Sequence, residues 1–349
     1  MDHKKQNSVF KNDMLNALSK NQVQEFFESG YIIIEKLFTE QQLEQIKSSL
    51  AVAYQHAVKY VEAEFNSGNL GPRYELEKDD DNSSSVLIST NMDGTTPIKL
   101  ISWVGGIQPE LVSLGRDAKI TVPVAQLLGA TEICHLINQG HYKTPNDQIQ
   151  FDWHQDIQNR RSFDAQWEDK NGKGSFVQVL TAVDKTTPTN GPLILIPNSH
   201  RKDLELEKCK DSSEIDFILQ REYPELDKIK QTLSNLSPGD TIFMHPLLLH
   251  KSDPNTSNDP GETRTIFING YSYLGANHKP YPGKQSAQNI SVNNVEFLVE
   301  ETEAYASMIL SQDLQQGTYN TENSFVNQSE CDYMVPLGDL DVGDAAHDI

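Results

Sequence analysis

The chain has 349 residues, 37% hydrophobic and 23% charged, which is the composition expected of an ordinary globular protein large enough for one sizeable domain. Fifty acidic residues against 29 basic ones give a formal charge of −21. That balance argues against a nucleic-acid partner, whose phosphates are held by lysine and arginine. Cys134, Cys209 and Cys331 are too scattered for a disulfide framework or a zinc cluster. With no apolar signal core after Met1 and no apolar run of about 18 residues, a cytoplasmic setting without a membrane partner is expected.

In chain order, Ser19 with Gln22 reads as a capping box. Val23, Phe26 and Phe27 follow at helical spacing, and Gly30 closes the helix. Tyr31 to Ile34 reads as a short buried strand. Thr39 with Gln42 opens a second helix reaching about Phe65, with Leu43, Ile46, Leu50, Ala53 and Tyr54 as its inner stripe. His56 lies on this helix without a ligand-type partner at matched spacing, so it reads as a surface or packing residue. Residues 66–96, rich in Gly, Ser, Asn and Asp, read as an exposed loop or flap. The acidic run Asp79-Asp80-Asp81 lacks the glycine turn and final glutamate of a calcium loop. Leu111 to Leu128 suits helical packing, Glu132 to Asn138 a strand, and Gly140 to Asp147 a turn-rich loop.

The stretch Trp153-His154-Gln155-Asp156 carries the first chemistry. An imidazole and a carboxylate two residues apart point to one face of an extended backbone, so they can share a metal. Two histidines and one carboxylate on one face of an octahedron suit Fe(II) with open positions. A His-x-Asp triplet alone is weak, and its weight comes from the histidines and the arginine downstream. Pro238-Gly239-Asp240 starts an apolar run holding His245 and ending at His250, and Arg264 opens another run, Thr265 to Tyr271. Both histidines compete for the third ligand position.

These segments, with Phe26 to Ile34, Asn190-Gly191-Pro192-Leu193 and Ile196-Pro197-Asn198-Ser199-His200, resemble the phytanoyl-CoA dioxygenase family of iron(II)- and 2-oxoglutarate-dependent oxygenases, with the ectoine hydroxylases as a close cousin in pattern. The resemblance implies His154, Asp156 and His250 as iron ligands, His250 being preferred to His245 because it ends its strand and precedes Lys251-Ser252. It also implies Arg264 as the grip on the distal carboxylate of 2-oxoglutarate, with Ser252 as an added hydroxyl donor. Asn138 best matches a polar residue that often touches the cosubstrate, with Lys143 as runner-up. Where the family usually has glycine before Ser-His, this chain has Asn198, a residue that tolerates left-handed turns. His200 is expected to bond a turn backbone.

The fold expected is mostly β with flanking helices, a cupin-like jelly-roll or double-stranded β-helix. One domain over 1–310 would comprise a helical part at 15–130, a core at about 131–275 and a helix at 292–310, before a polar acidic tail at 311–349. Ser175 to Val183 and Pro192 to Ile196 read as strands. Asp203 to Asn235 reads as a helical excursion anchored by Phe217, Ile218 and Leu219. The expected reaction uses Fe(II), 2-oxoglutarate and O2 to oxidise, most simply to hydroxylate, a C–H bond of a small molecule, releasing succinate and CO2. Desaturation or ring closure stays open, whereas Asp156 argues against halogenation, because related halogenases lose that carboxylate. A non-oxygenase cupin and a metabolite-binding sensor are the other readings. Arg160, Arg161, Gln178 and Trp167 are the candidate substrate contacts. The two arginines favour an anionic, amino-acid-like or natural-product substrate, with charge balance by neighbouring acids as the competing explanation.

Overall fold

Both capping signals start helices in the computed structural model, which describes residues 17–69, 71–78, 84–90, 97–164, 166–168, 176–201, 212–276 and 288–292. Helix α1 (Lys20–Ser29) begins where the Ser19 hydroxyl accepts from the Gln22 backbone and the Gln22 carboxamide accepts from the Ser19 backbone. It ends at Gly30, whose φ of 86° is left-handed. A β-carbon there would also meet Nδ1 of His200 at 2.6 Å, so glycine is required twice over. Helix α2 (Glu40–Asn66), capped by Thr39, buries Ile46, Leu50, Ala53, Ala57 and Val61 at the spacing of one helical face. Strand β1 (Tyr31–Ile34) between them buries only Ile32 fully.

The flap expected at 66–96 is instead largely a hairpin of β2 (Arg73–Lys78) and β3 (Ser84–Ser89). Its Tyr74, Val86 and Ile88 enter the core, enough apolar surface to hold two strands, and the polar run at 79–83 lies outside the described residues. Strand β4 (Leu100–Ser102) joins the hairpin to β5 (Glu132–Lys143). Between them lie α3 (Glu110–Gly115) and α4 (Ala118–Leu128).

Strand β5 runs to Lys143, beyond the expected turn at Gly140, because β12 (Arg264–Tyr273) pairs along nearly all of it, from Arg264 opposite Lys143 to Tyr273 opposite Ile133. The remaining elements are β6 (Phe151–His154), α5 (Asp156–Phe163), β7 (Phe176–Ala182), β8 (Leu193–Leu195), α6 (Ser212–Glu222), α7 (Pro224–Asp227), β9 (Gln231–Leu233), β10 (Thr241–Met244), β11 (His250–Ser252) and β13 (Gln288–Ser291). Among the described residues a nine-stranded antiparallel sheet has the order β1-β10-β7-β12-β5-β4-β3-β2, with β13 also on β5, and a four-stranded sheet has the order β6-β11-β8-β9. The two sheets form the double-stranded β-helix. Helices α1 to α4 cover the outer face of the large sheet, where Phe26, Ile46, Leu50, Val124, Val179 and Phe267 share one core cluster.

In the excursion, Ile215, Leu219 and Leu226 pack with Trp153 and Ile196, whereas Phe217 is 57% exposed and is not an anchor. A helix needs one apolar stripe, and three consecutive residues cannot all lie on it. The expected helix at 292–310 falls, beyond Val292, outside the described residues, as does the expected tail. Among the described residues no helix is long and apolar enough to cross a membrane.

His135 and His200 of this scaffold sit far from water. Burial pushes His135 and His200 down to about 3, so both are neutral in the fold. The unfolded chain binds their protons at pH values below about 6.5, so their contribution to stability is complete above that pH and is lost as pH falls towards 3. At pH 5 each is expected to cost about 2 kcal/mol, at roughly 1.4 kcal/mol per pH unit. Urea melts at pH 7.5 and 5.0 test this, and an unchanged midpoint would contradict it.

Candidate functional site

Strand β6 ends at His154, but Gln155 keeps extended angles (φ −117°, ψ 125°) before helix α5 starts at Asp156. The side chains of His154 and Asp156 therefore still point to one side. Strand β11 lies antiparallel to β6 with His250 directly opposite His154, and their ring centroids are 4.1 Å apart. Nε2 of His154 is 3.7 Å from one Asp156 oxygen, and Nε2 of His250 is 3.8 Å from the other. One ligand-type atom from each of the three residues lies within 4.8 Å of the others.

The second ring nitrogens fix the imidazoles. Nδ1 of His154 is 2.6 Å from the Asp152 carbonyl oxygen and Nδ1 of His250 is 2.9 Å from that of Leu248. Those nitrogens carry the protons and donate, leaving both Nε2 lone pairs directed at Asp156. Burial pushes both imidazoles down to about 4, with the His250 ring adding to the effect on His154, so each is a neutral donor at pH 7. Burial raises the Asp156 carboxyl, against the opposing pull of His154 and Arg160. Asp156 Oδ2 is buried without a hydrogen-bond partner among the described residues. A buried acceptor facing two imidazole lone pairs is uncompensated unless a cation sits between them, and this donor set fits one.

His245 is elsewhere. Its ring lies 4.9 Å from His200 and 5.9 Å from Phe26, and Nδ1 accepts from the Leu247 backbone. His200 bonds the Phe27 carbonyl at 3.0 Å, tying α1 to the turn that follows β8. Asn198 adopts φ 66°, the left-handed conformation that glycine would otherwise supply.

The three residues open into a pocket between the sheets, which Arg264, Ser252, Gln178 and Arg160 also line. Arg264 is buried, and its Nε has no hydrogen bond among the described residues. Burial lowers its guanidinium only to about 10, so it remains a cation. The Ser252 hydroxyl accepts from Nζ of Lys143 at 2.8 Å. The same nitrogen also reaches the Ser252 carbonyl at 3.2 Å and the Asp253 carbonyl, joining the two sheets beside Arg264, and burial, with the Arg264 charge adding to it, pushes the Lys143 amine down to about 6.

Asn138 is not in the pocket. Alternation along β5 turns Ile137, Gln139 and His141 inward and Asn138 outward, where its Oδ1 accepts from Gly105 (2.9 Å) and its Nδ2 donates to Asn269 (2.9 Å) and Leu111 (3.2 Å). Trp167 is also displaced from the role expected of it, packing edge-on to Phe176 at 5.9 Å within the core. The Arg161 side chain lies outside the described residues. Trp153 packs with Ile196, Ile215 and Leu219 away from the pocket, with its indole donating to Asp216 at 3.1 Å.

Gln139, His141 and Phe151 line the pocket without having been singled out from sequence. Nε2 of His141 is 3.0 Å from the Gln139 carboxamide oxygen, and its ring stacks on Phe151 at 5.0 Å. The ammonium of Lys99 lies 4.7 Å over that same Phe151 ring. The period-two pattern of β5 would have revealed the inward pair, had the strand been extended past Gly140.

The sequence matches the phytanoyl-CoA dioxygenase (PhyH) family over residues 26–264, from the end of α1 to Arg264. The chain belongs to the phytanoyl-CoA dioxygenase family. An ectoine dioxygenase of Bordetella bronchiseptica is 26% identical over 188 residues, covering 53% of this chain and 51% of that protein. The chain thus spans about half the length of that relative. A phytanoyl-CoA dioxygenase domain-containing protein 1 homolog of Caenorhabditis briggsae is 23% identical over 276 residues, covering 70% of this chain and 88% of the other. Among solved structures, EctD from S. alaskensis in its apoform superposes with a TM-score of 0.54 at 18% identity, covering 78% of this chain and 84% of that one. The shared fold is the double-stranded β-helix characteristic of the phytanoyl-CoA dioxygenase family.

Proposed function

We propose that this protein is an Fe(II)- and 2-oxoglutarate-dependent dioxygenase that oxidises, most simply hydroxylates, a C–H bond of a small molecule and releases succinate and CO2. The observation that carries this reading is the convergence of His154, Asp156 and His250 beside an orphaned carboxylate oxygen and a buried arginine. His154, Asp156 and His250 would hold the iron, which with 2-oxoglutarate supplies the oxidising power that no side chain has. The family match and the ectoine dioxygenase relative support the same reading. The catalytic unit is proposed to span 1–310.

The chain's own residues would bind, orient and shelter. The carbonyl oxygens of Asp152 and Leu248 hold the imidazoles in the ligating tautomer. Arg264 offers a planar fork to the distal carboxylate of the cosubstrate. Lys143 Nζ donates to the Ser252 oxygen, which would leave the Ser252 proton free to turn towards the pocket and donate to that carboxylate. Apolar walls such as Ile266 and Leu193 keep water from the reacting atoms.

The test is an anaerobic titration of the Fe(II)-loaded protein with 2-oxoglutarate, read from the weak visible absorption of the chelate. A saturable band is expected, and iron binding without a band would contradict the reading. In Lys143→Met the band is expected to need about tenfold more 2-oxoglutarate, the equivalent of roughly one hydrogen bond to a charged group, with iron affinity unchanged.

A further inference from the structure

The two strands that carry the ligand set are short and irregularly paired. Strand β6 has four residues and β11 three, and their ladder holds two pairs, His250 with His154 and Ser252 with Phe151, with a register shift between them. Such an irregularity disrupts a ladder locally and bends the strand that carries the extra residue. Strand β6 is also an edge of the four-stranded sheet, so among the described residues this ladder is its one strand pairing. The spacing of the two imidazoles therefore needs support from outside the backbone. One tie follows the strand, where the Gln155 carboxamide donates to the Leu247 carbonyl at 2.6 Å. The other lies on the outer face of the sheet.

Strand alternation sends the side chains of Trp153 and Lys251, the neighbours of His154 and His250, to that outer face. There the Lys251 ammonium lies 5.1 Å over the Trp153 ring. Helices α6 and α7 stand in the chain between β8 and β9, which pair with each other in the same sheet. Ile215 and Leu219, one turn apart, pack α6 against Trp153, Ile196 and Leu249. Asp216, on the same helix, reaches both ligand strands. Its Oδ1 accepts the Trp153 indole proton at 3.1 Å, and its Oδ2 faces Nζ of Lys251 at 3.6 Å. Lys230, immediately before β9, reaches Asp216 at 2.7 Å and Asp227 at 2.6 Å, which anchors the carboxylate within the excursion. One side chain thus links β6, β11 and the approach to β9, behind the metal ligands and away from the pocket.

We propose that Asp216 is a positioning residue for the iron: by holding Trp153 and Lys251 it sets where His154 stands relative to His250. This rests on the ligand assignment above. Asp216 touches neither ligand imidazole. It acts through the residue before one ligand and the residue after the other, so its removal loosens the donor set without removing a donor. Metal affinity then falls by more than the loss of stability accounts for.

The test measures Fe(II) affinity anaerobically by competition with a chelating dye, beside the melting temperature of the metal-free protein. In Asp216→Ala the affinity is expected to fall about tenfold, the low end of the range for partners behind a metal ligand. Asp216→Asn keeps an acceptor for the indole and loses the ion pair, so its affinity should lie between those of Asp216→Ala and the parent. Trp153→Phe removes the same hydrogen bond from the other side. Its loss combined with that of Asp216→Ala should be smaller than the product of the two single losses. Asp227→Asn removes an equal charge within the excursion and touches neither ligand strand, so it should bind iron as the parent does, even if it melts lower. If Asp216→Ala does not fold, Asp216→Asn and Trp153→Phe carry the comparison. The proposal is overturned if the Asp216 variants melt lower yet bind iron like the parent, or if Asp227→Asn loses as much affinity as they do. Equal losses in Asp216→Asn and Asp216→Ala would also overturn it, since they would mark a long-range effect of charge. A parent that binds no Fe(II) instead overturns the ligand assignment, and this inference with it.

Discussion

Asp156→Ala is expected to lose iron and, with it, turnover by on the order of 1,000-fold or more, beyond the 10–100-fold typical of partners behind a metal ligand. The carboxylate faces both Nε2 atoms at 3.7 and 3.8 Å, so its removal leaves two neutral imidazoles and no negative charge to offset a divalent cation. His154→Ala and His250→Ala should behave alike, because each removes one of the three donors that converge on one point. His245→Ala should retain iron, since its ring faces His200 and Phe26. Iron content after desalting distinguishes these outcomes. Full retention in Asp156→Ala would sink the ligand assignment, and loss in His245→Ala with retention in His250→Ala would move it to the other histidine.

Arg264→Ala is expected to raise the 2-oxoglutarate requirement about 100-fold or more while iron stays bound. A hydrogen bond to a charged group contributes about 1.5–3 kcal/mol, and a bidentate grip makes two of them, against about 1.4 kcal/mol per tenfold in affinity. Its burial strengthens the expectation, because the surrounding protein offers little solvent to replace the lost fork. Arg264→Lys should recover only part of the affinity, since an ammonium keeps the charge without the planar pair of donors. The anaerobic chelate titration measures both variants, and an unaltered midpoint in Arg264→Ala would remove arginine from the cosubstrate's site.

The helices with capping boxes and the His154–Asp156 pair were legible because their signals are local, whereas His250 was preferred to His245 only through the family resemblance. Ser19 and Gln22 sit within one turn, and His154 and Asp156 within one short segment. The errors have a common origin in long-range pairing. Gly140 looked like a turn because glycine breaks isolated strands, yet β12 pairs through it, opposite Phe267. Cutting the strand there hid the inward face of Gln139 and His141, and made Asn138 look like the polar residue closest to the cosubstrate. The hairpin of β2 and β3 was masked by the Asp and Ser run that joins its strands. Trp167 looked like a loop contact, but an aromatic side chain of that size was better spent against Phe176.

The order of strands in the large sheet has a consequence for how the chain is made. Strand β1 pairs with β10, from Tyr31 opposite Met244 to Ile34 opposite Thr241, and the Tyr31 hydroxyl bonds Gln231, 200 residues away. During synthesis at roughly 5–20 residues per second, β1 waits about 10–40 s for its partner to emerge. Until then its row of isoleucines has no native neighbour, and the nascent chain depends on α1 and α2 on either side to keep that edge from pairing with another copy. A slow or stalled ribosome should therefore convert this protein into aggregate at a segment that plays no part in its chemistry.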